Sequence, residues 1–351
     1  MSAHLGAARA DRSANARQPG LGPTSTALTL LTVLCFTVVC LTVATRPDLL
    51  RPAVESLDGA GGLVDLSASL ARAVSVLGSV CCAGALVTAT VLLPRDLSAE
   101  GAATRERLAG AAARWACLWA GAAAAEVVLL AASVTGESLG DLAMVGPGAA
   151  AGFVGVQVRS WAVSAWVAGL VALGATRARS TATRVPLLVA AAAGMLAPLL
   201  TGHGRGTGVP VTATVALGLH VLAVSCWVGG LVAVCLHVRG RGLPSTVASF
   251  SRLALVCSLV VGVSGLANVA VRLSWADLLH GGAYAGLLVA KVAGILVLGL
   301  LGLRHRRSTL PALADGDPRP LWRLAGLEMA LMVAVIGVAV VLSGTAQTPA
   351  G

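Results

Sequence analysis

Charge is what this chain has least of. Of its 351 residues only 11% are Asp, Glu, Lys or Arg, against about 25% in an ordinary soluble domain. Lysine is almost missing, with Lys291 the single example. Aromatic residues make up 3%, which leaves little to stack on nucleic-acid bases. The formal net charge of +10 therefore does not mark a nucleic-acid binder. It comes from arginines in short clusters between apolar runs, and that pattern is a topology signal. The sequence has no P-loop, no GxGxxG behind a strand and no Ser-His-Asp set in a soluble context. It shows no inverted repeat of the transporter kind. No polar segment is long enough to fold by itself, so the reading is not an enzyme, and function is expected within or at the faces of a membrane.

What is present is hydrophobic: 57% of residues, with a mean hydropathy of +0.87. A span needs about 20 apolar residues to cross roughly 30 Å of hydrocarbon. Nine runs qualify: 25–45, 67–93, 108–135, 152–176, 185–202, 211–238, 249–273, 284–303 and 324–343. The expected fold is an all-α polytopic membrane protein of about nine transmembrane helices. Residues 1–24 read as a disordered cytoplasmic tail, 25–200 as helices one to five, 201–345 as helices six to nine, and 346–351 as a short outer tail. With the N-terminus inside, seventeen arginines fall on inner segments and four (Arg46, Arg51, Arg205, Arg272) on outer loops. That asymmetry places the N-terminus inside and the C-terminus outside.

Eight cysteines all fall in apolar runs. A disulfide framework would put them in outer loops. They read first as small apolar packing residues, with a soft-metal role for one or two kept as the lesser reading.

Ionisable residues at membrane depth suggest function by default. His220 lies about nine residues, roughly 14 Å, into the sixth run. Glu126, Lys291, Arg159, Met195 and Asn268 fall at comparable depths in five other runs, all in the outer half. Two readings compete. In the plainer one Glu126 pairs with Lys291 or Arg159, and His220 bonds a neighbour. In the sharper one these residues line an outward-opening vestibule for a cation. Trp227 is seven residues after His220 and shares its helix face. Gly229 and Gly230 permit close helix approach. Imidazole and thioether suit copper, so His203 at the outer mouth, His220 and Met195 form a candidate metal set. Haem held between spans, in an electron-transfer or oxidase-assembly protein, is the alternative. It needs two ligands at matching depth.

From Thr201 to Ser343 the sequence resembles the CopD copper-resistance membrane proteins, in particular their actinobacterial branch. The matching pieces run in order. They are TGH at 201–203, His220 with WVGG at 227–230, FSRLAL at 250–255, SGLANVAVRL at 264–273, Tyr284, Lys291, HRR at 305–307 and Glu328. The resemblance implies a multi-pass plasma-membrane protein of copper homeostasis. It is expected to move copper inward, with copper received from an extracytoplasmic CopC-like carrier. His220, His203 and Trp227 carry over first; Tyr284, Lys291 and Glu328 are motif positions without an assigned role. The pattern departs where relatives often have a second loop histidine and this chain has Val209-Pro210. Neither a CopC-like domain nor a second membrane domain is expected here, so a separate carrier would deliver the metal. A homo-oligomer and a bilayer are the other expected partners. An assembly protein without transport of its own is the third reading.

Overall fold

A computed structural model of the protein describes residues 60–95, 99–135, 155–200 and 211–272, together with Gly326. Six α-helices account for nearly all of these, and no strand occurs among the described residues. They are α1 (Ala60–Val87), α2 (Ala99–Thr135), α3 (Val156–Ala175), α4 (Thr181–Leu196), α5 (Val211–His237) and α6 (Leu243–Arg272). They correspond to the second to seventh predicted runs. The first, eighth and ninth runs lie outside the described residues.

Five of the six are long and apolar enough to cross a membrane. The exception is α4. Its 16 residues reach about 24 Å, short of a full hydrocarbon layer. Helix ends differ from the predicted runs where polar residues favour helix. Hydropathy marks only the lipid-facing length, whereas α2 begins at Ala99 with the sequence AEGAATRER, rich in good helix formers. Ser180 starts α4 through a capping box, its hydroxyl accepting from the Thr183 N–H at 3.2 Å. That satisfies one of the N–H groups a helix start leaves open.

α1 is the centre of the bundle. It packs most extensively against α2 and α5 and also meets α4, while α2 and α5 touch each other only slightly. α3 lies on the far side of α2, and α6 lies against α5. In lipid, helices gain little from apolar burial alone and associate through close packing. The α1–α5 crossing shows this. A Cβ on Gly84 would overlap the backbone of Gly229, and one on Gly229 would run into the Val80 carbonyl and come within 3.0 Å of the Gly84 Cα. The next residue, Gly230, lies under the Phe250 ring of α6, 3.3 Å from where a Cβ would stand. The GG pair thus seats one helix on each side of α5. Trp227, a turn before it, is buried in the shared core with Leu86, Leu92 and Leu231. Its ring is a packing element of that core.

At its far end α1 widens into a π-helical turn, Thr88–Leu92, closed by the Leu93 N–H on the Thr88 carbonyl at 3.0 Å. The chain then turns through Pro94 into α2, and Arg105 of α2 donates back to the Pro94 carbonyl. Cys81, Cys82, Cys235 and Cys257 are buried, Cys226 half-buried and Cys117 exposed, all as free thiols. The buried four sit among apolar side chains, as small hydrophobes do.

Candidate functional site

Two of the polar pairs within the apolar bundle involve predicted site residues, and each joins different helices. The first is built on Glu126 of α2, which has no solvent exposure. Its Oε1 accepts from both Nε and Nη2 of Arg72 on α1, at 3.0 and 2.5 Å. The Arg72 guanidinium carbon also lies 5.9 Å from the ring centroid of Trp161 on α3, within cation–π range. Three helices therefore meet at one charge pair. The pairing is one-sided. Arginine–carboxylate pairs are often two-pronged, but here both N–H groups converge on Oε1, and Oε2 is buried without a partner among the described residues.

The arrangement adds a partner that the plainer expectation for Glu126 did not name. Among the described residues its ion-pair partner is Arg72; Lys291 lies outside them. Arg72 lies five residues past Ser67 in the second predicted run, and reading that run as wholly apolar passed over it. Its own sequence position was the available signal, since a charge inside a span is as informative as Glu126. Arg159 is exposed and stands three residues into α3, because that helix begins at Val156 rather than at 152. This places it about 5 Å from the helix end, where a long cationic side chain reaches the interface.

The second pair joins α5 to α6. His220 Nδ1 lies 3.1 Å from the Ser264 Oγ. The serine hydroxyl donates to the Val260 carbonyl at 2.6 Å and more weakly to that of Val261 at 3.2 Å. With its one proton committed to backbone, the Ser264 oxygen accepts from imidazole. The proton of neutral His220 is then on Nδ1, and Nε2 carries the lone pair. A second group that fixes the tautomer of a histidine ligand is a recurrent feature of metal sites. His220 stands nine residues into α5, as predicted.

The remaining candidates divide. Met195 is half-buried in the last turn of α4 and packs against the core. The following residue, Leu196, lies 3.5 Å from where a Cβ on Gly218 would stand, so the end of α4 abuts α5 near His220. Met195 is closer to its helix end than predicted, because α4 stops at Leu196. Asn268 is in the last turns of α6. His203, Tyr284, Lys291 and Glu328 lie outside the described residues, so the predicted His203–His220 pair does too. Among the described residues no group of three or more His, Cys, Asp or Glu side chains is arranged to hold a metal. His237, the other described histidine, ends α5 among Arg107, Arg114 and Arg239. It is seventeen residues from His220 on the same helix, about 26 Å away. These two cannot ligate one haem.

Long apolar helices, small-residue crossings and polar pairs buried within the bundle define a multi-pass membrane protein. In its carboxy-terminal part, residues 244–342 match the family model described as CopD, copper resistance protein D. No curated protein and no solved structure matches the chain. The matched family is described as one of copper resistance. The match begins one residue into α6. Ser264 falls within it, and His220, Trp227 and Glu126 precede it.

Proposed function

We propose that the protein moves copper ions inward across the plasma membrane, with His220 as a ligand on the path. The observation that supports this most directly is the His220–Ser264 hydrogen bond. It fixes the orientation of the ring through Nδ1, and in neutral imidazole with its proton there Nε2 is the nitrogen that would bind copper. It also ties the histidine to the family domain, since Ser264 lies in the matched stretch. On that ground the copper-handling region extends from 201 to 345, beyond the match itself. Copper would be handed by a CopC-like carrier to His203 at the outer mouth. It would pass to His220, with the Met195 thioether as a soft ligand near the end of α4. Glu126, with a carboxylate oxygen that has no partner among the described residues, is a second place for positive charge to pause.

The test is copper accumulation in a deletion strain complemented with wild type, His220→Ala or Ser264→Ala. His220→Ala should abolish the complemented uptake. Ser264→Ala keeps the ligand but frees its tautomer and should weaken uptake about 10-fold or more, the usual effect of losing a group that orients a metal ligand. Unchanged accumulation with His220→Ala would remove this histidine from the path.

A further inference from the structure

Two of the free thiols stand on the faces that α5 and α6 turn toward each other. Cys226 of α5 is four residues before Gly230, and residues four apart share a helix face. That face meets α6, since the Phe250 ring lies 3.3 Å from where a Cβ on Gly230 would stand. Cys257 of α6 is seven residues from Phe250 and seven from Ser264, two turns either way along one face. Both of those residues reach α5, Phe250 at Gly230 and Ser264 at His220, the latter at 3.1 Å. Cys257 lies midway between these contacts and so stands opposite Ser225, the residue next to Cys226. Cys226 is also the titratable neighbour that acts on Cys257.

Cys257 is 4% exposed and Cys226 half-buried, and both thiols are free. Thiolates are soft ligands that select copper(I) or zinc. Structural zinc takes four ligands, and among the described residues no third His, Cys, Asp or Glu joins this pair. Copper(I), with its filled d shell, is stable between two thiolates in line. The level of the pair also matters. Cys226 is six residues past His220 on the same helix, about 9 Å further toward the arginine-rich end. An ion that leaves His220 along the α5–α6 interface in that direction meets the two thiols next.

We infer that Cys226 and Cys257 form a two-coordinate copper(I) site between α5 and α6. The site rests on the copper reading above and adds a second set of ligands to it. Two copper–sulfur bonds form, both thiol protons leave to solvent, and the metal stays copper(I), so no electron moves. The test adds copper(I), as its bicinchoninate complex, to the full chain purified in detergent without oxygen. Transfer is read from bleaching of that complex and from growth of thiolate-to-copper absorption in the near ultraviolet. Cys226→Ala and Cys257→Ala should each lose one bound copper(I) per chain, and the double variant should lose the same one. Cys117→Ala removes an exposed thiol on α2 and should lose none. The inference is overturned if either single variant binds as much as wild type. It is also overturned if the double variant loses two, which would mean two separate thiols. Should Cys257→Ala fail to fold, Cys257→Ser keeps the shape of the side chain and takes its place. Copper uptake in cells separates this site from the import reading. Uptake lost in His220→Ala, with no cysteine-dependent copper(I), overturns the site and leaves the path through His220 standing. Cysteine-dependent copper(I), with uptake unchanged in His220→Ala, keeps the site and removes that path.

Discussion

Arg72 and Glu126 illustrate what a single charge does inside this bundle. Glu126 is wholly buried, while Arg72 keeps 48% of its side-chain surface exposed. The two ends of the pair are therefore not equivalent. Removing the arginine strands a carboxylate with no water, whereas removing both removes the problem. Arg72→Met should destabilise the protein by about 3 kcal/mol, the low end for breaking a buried pair, because Arg72 is itself only half-buried. Arg72→Met combined with Glu126→Gln should recover most of that loss. The order of unfolding midpoints in detergent checks this: wild type highest, Arg72→Met lowest, the double variant between. Equal midpoints for single and double variants would mean that the pair is not coupled. The sequence pointed to Glu126 by depth but not to its partner, since six helices offer many facing positions and only packing selects one. His220 shows the same division. Its place in α5 followed from counting residues, but Ser264 is 44 positions away in the chain. One serine among many in apolar runs carries no mark of its role until α6 is laid against α5.

At the scale of the element, glycine means different things on different faces. Gly229 of α5 and Gly262 of α6 look alike in sequence, each set in an apolar helix. The first has the backbone of α1 where a Cβ would go; the second has nothing within 4 Å. Gly229→Ala should force α1 and α5 apart, at about 1–3 kcal/mol as for other overpacked cores. Gly262→Ala should instead gain about 0.5–1 kcal/mol from helix propensity. Paired unfolding measurements on the two variants test this, and matching signs would show that the α1–α5 crossing is not as close as described. The predicted runs located these helices well because twenty apolar residues in lipid have little choice but helix. They missed ends wherever the chain leaves lipid while still helical, as at Ala99, or stops early, as at Leu196. Those few residues set the depths of Arg159 and Met195, and bring each closer to its helix end than the runs implied.

For the whole molecule, the contacts among arginines bear on which way the chain runs. Arg105 of α2 reaches the Pro94 carbonyl after α1. Arg184 at the start of α4 feels Arg105. Glu100 at the start of α2 accepts from the Arg241 N–H between α5 and α6, at 3.2 Å. His237 at the end of α5 lies among Arg107 and Arg114 of α2. The close of α1, the start of α2, the start of α4 and the α5–α6 turn are thus gathered at one end, which is what strict alternation across a membrane produces. We propose, on the positive-inside rule, that this end faces the cytoplasm. The sides of the two termini then depend on parity. The six described helices leave three predicted spans to account for, one before them and two after, and nine in total puts the termini on opposite sides. An amino-terminal green fluorescent protein should fluoresce, and a carboxy-terminal alkaline phosphatase, active only outside the cytoplasm, should also be active. An inactive phosphatase beside a fluorescent amino terminus would mean an even number of spans. The arginine-rich end would remain cytoplasmic, and the error would lie in the run at 284–303 or in that at 324–343. A dark amino terminus with the same carboxy-terminal result would place the error before α1. Both outcomes leave the His220–Ser264 pair in the half of the bundle away from the arginines, because α5 and α6 are bounded by Arg239 and Arg241 at their shared turn. The direction from which copper would reach His220 therefore rests on the arginines around α1 to α6 rather than on the total span count.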